Sequence, residues 1–294
     1  MIKVTVPATT ANIGSGFDCL GVALSLYNSF IFEEIDEGLI IEGCEEKYKN
    51  EENLVYRSMK ICFKEANYKD RGIKISMNTS IPESRGLGSS ASCIIAGVVG
   101  ANELMGKPFN IDKILNIATV IEGHPDNIAP AFLGSAIVSV LDENKVYYNK
   151  INMAKEFKFC ALIPDFTLST EKSREVLPKN ISYKDAIFNV GRVAAMISGF
   201  ANGNLELITV GCQDKLHQQY RGLLIEDYEI IMNECKKHSI GTFLSGAGPT
   251  IMNIINSDDL NFTSNIDKFL KKLNNKWSAL ELNIDFNGVM TELI

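Results

Sequence analysis

The chain of 294 residues is long enough for one large or two modest domains, and its 46% of hydrophobic residues can form real cores. The formal net charge is -7, and Lys and Arg form no basic stripe, which argues against nucleic-acid or membrane partners. Seven scattered cysteines without a C-x-x-C pair indicate neither a disulfide framework nor a zinc site, and the amino terminus resembles a strand rather than a signal peptide. We expect a cytoplasmic protein whose partners are small molecules or proteins.

Hydrophobic patterning predicts strands and helices that alternate without a regular period. In the first half it predicts strands at 2–6, 24–34 and 72–81, an acidic hairpin-like stretch up to residue 52, helices at 53–66, 91–104 and 110–121, and a hairpin of 136–141 with 145–148. In the second half it predicts a strand at 157–163, helices at 184–202, 227–238 and 263–273, paired strands at 242–244 and 250–255, and a last strand at 288–293. This order favours an α+β fold of two domains, residues 1–150 and 151–294.

The turn between the strand ending at Ile81 and the next helix is rich in glycine and serine (PESRGLGSSAS, 82–92). Glycines let the backbone approach a ligand closely, and we expect Ser89 and Ser90 to open the helix as capping hydroxyls. A helix amino terminus of this kind attracts an anion, so the turn predicts a phosphate site. It is not a Walker A loop, because Gly106-Lys107 is followed by proline, and a helix rather than a strand follows, which disfavours a Rossmann site.

Two further polar segments are candidates for ligand contacts. In the loop 7–18, Asn12 could hydrogen-bond a ligand and Asp18 could pair with a cation, although both residues could equally close turns on their own backbone. The segment 122–127 (EGHPDN) concentrates functional side chains at the end of the second helix. Glu122 is the first candidate for a Mg²⁺ ligand, because magnesium prefers oxygen donors and is shared with substrate phosphates. His124 could instead be structural, and Asp126-Asn127 an ordinary helix cap.

The second half offers fewer polar candidates. If 170–176 is helical, Thr170 and Arg174 lie one turn apart and can present a hydroxyl and a guanidinium to one ligand. Arg221 stands alone after a tyrosine, and single arginines are more often solvated or ion-paired. The glycine-rich turn 245–249 (SGAGP) is either a plain hairpin loop or a second backbone wall of the phosphate pocket.

These segments together resemble the superfamily of galactokinase, homoserine kinase, mevalonate kinase and phosphomevalonate kinase (the GHMP kinases). The turn from Pro82 to Ala91 is similar to the family signature P-x-x-x-G-L-G-S-S-A. PATTANIGSGFDCLG, EGHPDNIAPA, STEKSREVLP and SGAGPT resemble the motifs of homoserine kinases and occur in the expected order. The resemblance extends from Val4 to at least Thr250.

The resemblance implies an amino-terminal domain like ribosomal protein S5, a carboxy-terminal ferredoxin-like domain, a homodimer, and Mg²⁺- and ATP-dependent phosphorylation of L-homoserine on the way to threonine. It implies ATP contacts at Asn53, Val55, Pro82, Glu83, Ser84, Arg85, Gly86, Leu87, Gly88, Ser89, Ser90, Ala91 and Ser92. It implies Mg²⁺ ligands at Ser90 and Glu122, with Thr170 beside the transferred group. It implies homoserine contacts at Asn12, Asp18, His124, Asn127, Arg174 and Arg221.

The chemistry of the substrate agrees with this set. Homoserine is a zwitterion, so its site needs an anion for the ammonium group and a guanidinium for the carboxylate, as Asp18, Arg174 and Arg221 can supply. Mevalonate has no ammonium group, which favours homoserine over a related alcohol. The alternatives are another small-molecule kinase of the superfamily and a noncatalytic S5-like module that binds nucleic acid.

One position departs from the wider superfamily. Mevalonate kinases have an aspartate base about where Asn127 falls, and an asparagine cannot accept a proton. We therefore expect catalysis by positioning and electrostatic stabilisation without a strong protein base, and Asp126 is the neighbouring residue that could take that role instead. Only Gly123 separates Glu122 from His124, a shorter connection than in some relatives.

Overall fold

The computed structural model describes residues 1–153 and 157–294 and contains two β-sheets flanked by helices. The strands are β1 (Ile2–Ala11), β2 (Leu20–Ile35), β3 (Leu39–Glu42), β4 (Gly72–Asn78), β5 (Ala136–Asp142), β6 (Lys145–Ile151), β7 (Phe157–Pro164), β8 (Gly241–Leu244), β9 (Ile251–Asn256), β10 (Trp277–Leu282) and β11 (Met290–Leu293). The helices are α1 (Leu54–Glu65), α2 (Ser89–Leu104), α3 (Ile111–Glu122), α4 (Pro125–Leu133), α5 (Thr170–Glu175), α6 (Tyr183–Asn202), α7 (Leu205–Gly211), α8 (Gln218–Arg221), α9 (Tyr228–Cys235) and α10 (Phe262–Leu270). The predicted α+β class is confirmed.

The first sheet has the strand order β11–β1–β2–β4–β3, with β5 paired to β2 and β6 paired to β5. Val4, Val6, Phe30 and Phe32 are fully buried on one face, as the two-residue period of a strand requires. That face forms one core with apolar residues of α1 to α4. Helix α2 packs closely on α1. A Cβ added at Gly97 would lie only 2.3 Å from the backbone oxygen of Val55 in α1. This packing fixes the direction of α2 and therefore the position of its amino terminus.

The second sheet has the antiparallel order β10–β7–β9–β8. Strand β7 is buried at every position, which explains why its sequence is a nearly continuous apolar run. One core lies between this sheet and the helices α9 and α10. Another contains Phe159 and Phe200 from this half together with Leu20 and Val22 from β2, so the two sheets share buried contacts. The cleft described below lies at this border.

Several segments differ from their predicted form. Strand β1 continues to Ala11, so residues 7–11 are strand rather than loop. Strand β3 pairs in parallel with β4, so the acidic stretch up to residue 52 is not a hairpin. The sequence-based prediction lacks α4, α7 and β10. Helix α4 carries two prolines, and the first, Pro125, is tolerated because the first turn of a helix has no internal partner for its N–H.

The end of the chain returns to the first sheet. The expected boundary at residues 150 and 151 lies at the end of β6, but β11 pairs with β1, where Ile2 lies opposite Leu293. The last strand therefore extends the sheet of the first half, although it lies after residue 150 in the chain. None of the helices in the described ranges combines the length and apolar character needed to cross a membrane.

Candidate active site

The glycine-rich turn brings an uncapped helix terminus to the border of the two halves. Ser84, Gly86 and Gly88 have φ values of 53°, 74° and 71°, so the turn is left-handed at three points. Helix α2 starts at Ser89 with Gly88 as its N-cap, and no side chain caps it. The expectation that Ser89 and Ser90 act as capping hydroxyls is wrong, because a glycine occupies the cap position. The free N–H groups of the first turn are therefore left for a ligand.

Glycine is required at these positions by close approach as well as by φ. A Cβ at Gly86 would lie 2.2 Å from the Ser245 backbone oxygen, and a Cβ at Gly88 would lie 2.0 Å from Thr9 Oγ1. The Ser245 hydroxyl donates to the Gly86 oxygen at 2.6 Å, and Gly246 N–H donates to the Ala11 oxygen at 2.9 Å. The turn 245–249 is thus a second backbone wall of the pocket rather than a plain hairpin loop.

Only part of the segment 82–92 reaches the cleft. Ser84, Arg85, Gly86, Gly88, Ser89 and Ser90 line it. Leu87, Ala91 and Ser92 are buried, and the Ser92 hydroxyl donates to the Ser89 oxygen, so the side chains of these three residues pack within the protein. The Arg85 guanidinium donates to three carbonyl oxygens, those of Glu83, Pro164 and Asp165. It therefore anchors the turn to the end of β7.

A hydroxyl and a carboxylate meet beside the helix terminus. Ser90 Oγ donates to Glu122 Oε2 at 2.8 Å. Burial raises the pKa of Glu122 above its ordinary value, against the opposing effect of that hydrogen bond. A partly desolvated carboxylate next to a hydroxyl is a hard oxygen pair of the kind that Mg²⁺ prefers. Gly123, in the left-handed region at φ 96°, ends α3 directly after Glu122 and so fixes the place of the carboxylate.

A second hollow of about 690 Å³ opens on the other side of the turn and shares Ser84, Ser89 and Ser90 with the cleft. Its wall includes Asn53 and Glu83, as well as apolar and sulfur-containing side chains. Its size is in the range of sites for nucleotide-sized ligands. Pro82, which leads into the turn, lies outside both sets of lining residues.

The two residues expected near the adenine differ in what they can contact. Asn53 lines the hollow, but it caps α1 by accepting from Val55 N–H at 2.9 Å and donates to the Tyr48 oxygen at 3.0 Å. The Val55 side chain is fully buried in the first core. The Val55 side chain faces the core and its N–H is already bonded to Asn53, so neither of these groups is free for the adenine.

The opposite end of the cleft is charged. Arg174 donates to both carboxylate oxygens of Asp18, at 2.9 and 3.1 Å. Burial acts to lower the pKa of Arg174, but the bond and the charge of Asp18 outweigh it and the pKa is raised. Thr170 lies one turn before Arg174 on α5 and also lines the cleft, as the spacing predicts. The structure thus pairs Asp18 and Arg174 with each other.

Arg221 is 1% exposed, lines the cleft, and has no carboxylate within 4 Å among the residues that the structure describes. Its Nε donates to the Ser173 oxygen and its Nη1 to the Gly246 oxygen, both at 3.0 Å. Burial and the nearby charge of Arg174 lower its pKa to about 10. A buried guanidinium that no carboxylate contacts directly can bind an anionic ligand group.

Two aromatic residues that the sequence analysis does not single out, Phe17 and His217, pack beside Arg174 and Arg221. The Arg221 and Arg174 guanidinium carbons lie 5.1 and 5.8 Å from the centre of the Phe17 ring. His217 stacks on Phe17 with 5.1 Å between ring centres, and its Nε2 lies 3.0 Å from the Gly14 oxygen. Burial lowers the pKa of His217, against the opposing effect of the charge of Asp214. No sequence signal for this role exists beyond the placement of Phe17 next to Asp18.

Asn12 lines the cleft but its amide is already bonded within the protein. Its Oδ1 accepts from Asp18 N–H at 2.7 Å, and its Nδ2 donates to the Gly246 oxygen at 3.0 Å. The residue is 4% exposed and has a φ of 58°. Asn12 therefore connects the Asp18 loop to the turn 245–249, and the alternative of a structural role describes it better than a ligand contact through both amide atoms.

The segment that begins α4 forms a hydrogen-bonded cluster. His124 Nδ1 lies 2.7 Å from Asp126 Oδ1, and Thr9 Oγ1 donates to Asn127 Oδ1 at 2.7 Å. Burial lowers the pKa of His124, but the bond to Asp126 outweighs it and the pKa is raised. His124 and Asn127 line the cleft, whereas Asp126 is fully buried. Thr9 is a further residue that the sequence analysis does not identify.

One set of metal-ligating side chains, Asp18, His124 and Asp126, lies close enough to hold an ion. Each member has another partner, however, since Asp18 is paired with Arg174 and Asp126 with His124. These bonds explain why the three side chains lie close together, and no metal is needed for that. Ser90 and Glu122 remain the better-placed oxygen pair.

Comparisons with known proteins show the family of the chain. Residues 53–135 match the family model described as the GHMP kinases N terminal domain. The chain is 56% identical over 291 residues to a homoserine kinase of Clostridium botulinum (strain 657 / Type Ba4), covering 99% of this chain and 98% of that protein. The crystal structure of homoserine kinase from Cytophaga hutchinsonii superimposes with a TM-score of 0.90 at 25% identity, covering 99% and 97% of the two chains. The mevalonate kinase of Methanococcus jannaschii shares the fold, with a TM-score of 0.69 at 17% identity and coverage of 97% and 98%.

The family match and the shared two-sheet fold place the chain in the class of GHMP kinases. Within that class the identity spans nearly the full length of both sequences. The chain belongs to the homoserine kinase family.

Proposed function

We propose that the chain transfers the terminal phosphoryl group of ATP to the side-chain hydroxyl of L-homoserine with the help of Mg²⁺. The observation that carries the proposal is the continuity of the cleft. The cleft is lined both by the turn at Gly86, Gly88, Ser89 and Ser90 and by Arg174 and Arg221, and Arg174 holds Asp18 beside it. A phosphate donor and a small zwitterion therefore have adjoining places.

The ATP phosphates would lie against the free N–H groups of α2, between the turns 84–90 and 246–248. The base and sugar would extend into the adjoining hollow beside Asn53. Glu122 and Ser90 are the residues that would hold Mg²⁺, which, when bound, neutralises charge on the phosphates. Ser90 belongs to both the turn and the metal pair, so phosphate and metal would be positioned by the same residue.

Homoserine fits the charged end because each of its charges has a complementary group there. Arg221, buried and without a carboxylate partner in the described chain, would take the α-carboxylate. Asp18 would take the ammonium group, and the Arg174 that now holds Asp18 would remain close to both.

The reaction would proceed without a strong protein base. Asn127 and Thr170 also line the cleft, and we infer that the substrate hydroxyl and the transferred group would meet beside them. Neither side chain accepts a proton at neutral pH. Phosphoryl transfer through a loose transition state needs little deprotonation of the nucleophile early on, so alignment and donated hydrogen bonds supply most of the acceleration.

A coupled assay of ADP formation with Mg·ATP and L-homoserine tests the proposal. We expect turnover with L-homoserine and little with D-homoserine, mevalonate or galactose, because these compounds lack the zwitterion or its correct hand. Turnover with mevalonate or galactose but not homoserine would assign the chain to another kinase of the class. RNA binding that weakens with salt, without ATP turnover, would favour a noncatalytic module.

A further inference from the structure

The Asn127 side chain makes two contacts behind the cleft that determine how its amide is oriented. Thr9 Oγ1 donates to Asn127 Oδ1 at 2.7 Å, from the carboxy-terminal half of β1. On the other side, Asn127 Nδ2 lies 3.4 Å from Asp126 Oδ1. Thr9 and Asp126 are both 0% exposed, whereas Asn127 lines the cleft.

The carboxylate removes the ambiguity between the two orientations of the amide. A carboxylate oxygen only accepts, so the amide atom facing Asp126 must be the NH₂ group. The opposite orientation would place two acceptors against each other in a buried position. Asp126 also accepts from His124 Nδ1 at 2.7 Å, which holds the carboxylate in place.

We propose that Thr9 and Asp126 are positioning residues that fix Asn127 as a hydrogen-bond donor toward the reacting oxygen atoms. With Oδ1 occupied by the Thr9 hydroxyl, the group that Asn127 can present to the cleft is an N–H. Such a donor stabilises negative charge that develops on oxygen during phosphoryl transfer. It cannot receive the proton of the substrate hydroxyl. The inference rests on the proposed function.

The same geometry assigns a role to Asp126 that differs from that of a general base. The residue is fully buried, and its second oxygen, Oδ2, has no hydrogen-bond partner among the described residues. A group that the substrate hydroxyl does not reach cannot take its proton directly. Asp126 therefore acts through Asn127 and His124.

Steady-state kinetics of Thr9→Val, Thr9→Ser and Asn127→Ala with homoserine and Mg·ATP test the proposal. Valine has nearly the shape of threonine and replaces the hydroxyl beside Gly88 with a methyl group, which cannot donate a hydrogen bond. We expect T9V to lower kcat about tenfold with little change in KM for either substrate, and T9S to stay within about twofold of the wild type. In an N127A background, T9V should have almost no further effect, because there is no amide left to orient.

A matched control exists in the second sheet. Thr242 Oγ1 donates to Asn253 Oδ1 at 2.9 Å, and both residues are buried, so Thr242→Val removes the same kind of bond away from the cleft. We expect T242V to keep wild-type kinetics at a temperature below its unfolding. If T9V and N127A multiply their losses, or if T9V raises both KM values as much as it lowers kcat, the positioning role is wrong.

Asn127→Asp provides an independent measurement should T9V fold poorly. An aspartate keeps the acceptor for Thr9 but loses the donor and lies against Asp126, so we expect kcat to fall at least as far as in N127A. Activity near the wild-type level in N127D would overturn the donor role and support an acceptor or base at this position. Absence of homoserine turnover in the wild type itself would instead contradict the proposed function, so the two failures are distinguishable.

Discussion

The two ends of the cleft are built by different means. The phosphate end consists of backbone, where two glycine-rich turns and the start of α2 approach so closely that a Cβ does not fit at Gly86 or Gly88. The charged end consists of side chains from distant segments, with Asp18 on one loop, Arg174 on α5 and Arg221 on α8. Backbone atoms give a fixed surface for an anion, whereas side chains give a surface whose charges can be matched to one acceptor.

If this distinction is correct, adding a single methyl group at the phosphate end should be more damaging than removing a charge at the other end. Gly86→Ala places a Cβ 2.2 Å from the Ser245 backbone oxygen at a φ of 74°. We expect the free energy of unfolding to fall by about 3 kcal/mol or more, and kcat/KM for ATP to fall at least ~10³-fold. Urea unfolding and steady-state kinetics measure the two effects.

Gly106→Ala is the matched control for that substitution. Gly106 has a similar φ of 79°, but nothing lies within 4 Å of the Cβ that would be added. We expect a loss of only about 1 kcal/mol in stability and wild-type kinetics. Equal effects of the two substitutions would mean that backbone strain alone, rather than the closeness of the two walls, accounts for the glycine at position 86.

The next largest effect should come from the buried charge. Arg221→Met removes the guanidinium and keeps much of its length, and we expect KM for homoserine to rise about 10²-fold while KM for ATP stays within about twofold. Arg192→Met is the control, since Arg192 stacks on Phe188 with 3.3 Å from guanidinium carbon to ring centre and takes no part in the cleft. Equal losses for ATP and homoserine would contradict the separation of the two ends.

Glu122 lies beside the start of α2, where it is bonded to Ser90. Its substitution should change stability and activity in opposite directions. Glu122→Gln keeps an acceptor for Ser90 but removes the charge, so we expect the Mg²⁺ concentration for half-maximal activity to rise at least about tenfold. Because burial raises the pKa of Glu122, the ionised carboxylate destabilises the metal-free fold at neutral pH, and this cost disappears as the pH falls below the ordinary value of the group.

Thermal unfolding without Mg²⁺ measures the second part of that prediction. The E122Q variant should unfold at a higher temperature than the wild type at pH 7, and the difference should shrink toward pH 4 as the wild-type carboxyl takes up its proton. A lower unfolding temperature for E122Q at pH 7 would mean that the charge of Glu122 is compensated within the protein, which would weaken its case as a metal ligand.

The smallest effect should come from the half-exposed pair. Asp18→Asn leaves a neutral group of the same shape and frees Arg174, and we expect KM for homoserine to rise about tenfold at most, because solvent screens exposed pairs. Asp267→Asn, which breaks the exposed pair with Lys271 at 2.6 Å, is the control and should change nothing in the kinetics. A change in KM for Mg·ATP in D18N as large as that for homoserine would place Asp18 at the wrong end.

The sequence was informative where chemistry depends on neighbours along the chain. The turn 82–92, the helix that begins at Thr170 and the carboxylate of Glu122 could be recognised because glycine, serine and helical spacing act within a few residues. The sequence was less informative where a residue has one polar role locally and another in the fold. Asn12 is a polar loop residue of the kind that often contacts a ligand, yet both of its amide atoms are bonded to the protein. Val55 lies close in sequence to a predicted site residue, yet its side chain faces the core.

By itself, the sequence determined the class of the fold, the location of the phosphate turn and the set of charged residues available for a zwitterion, because patterning and turn chemistry are local properties. Only the tertiary structure decided which of these residues meet: β1 extends into the site, Thr9 reaches Asn127 across 118 positions, and Arg221 remains without a carboxylate within the part of the chain that the structure describes. Hydrogen bonds and ion pairs of this kind depend on distances of a few ångströms between segments far apart in the chain. Packing of the two sheets sets those distances, and no spacing in the sequence encodes them directly.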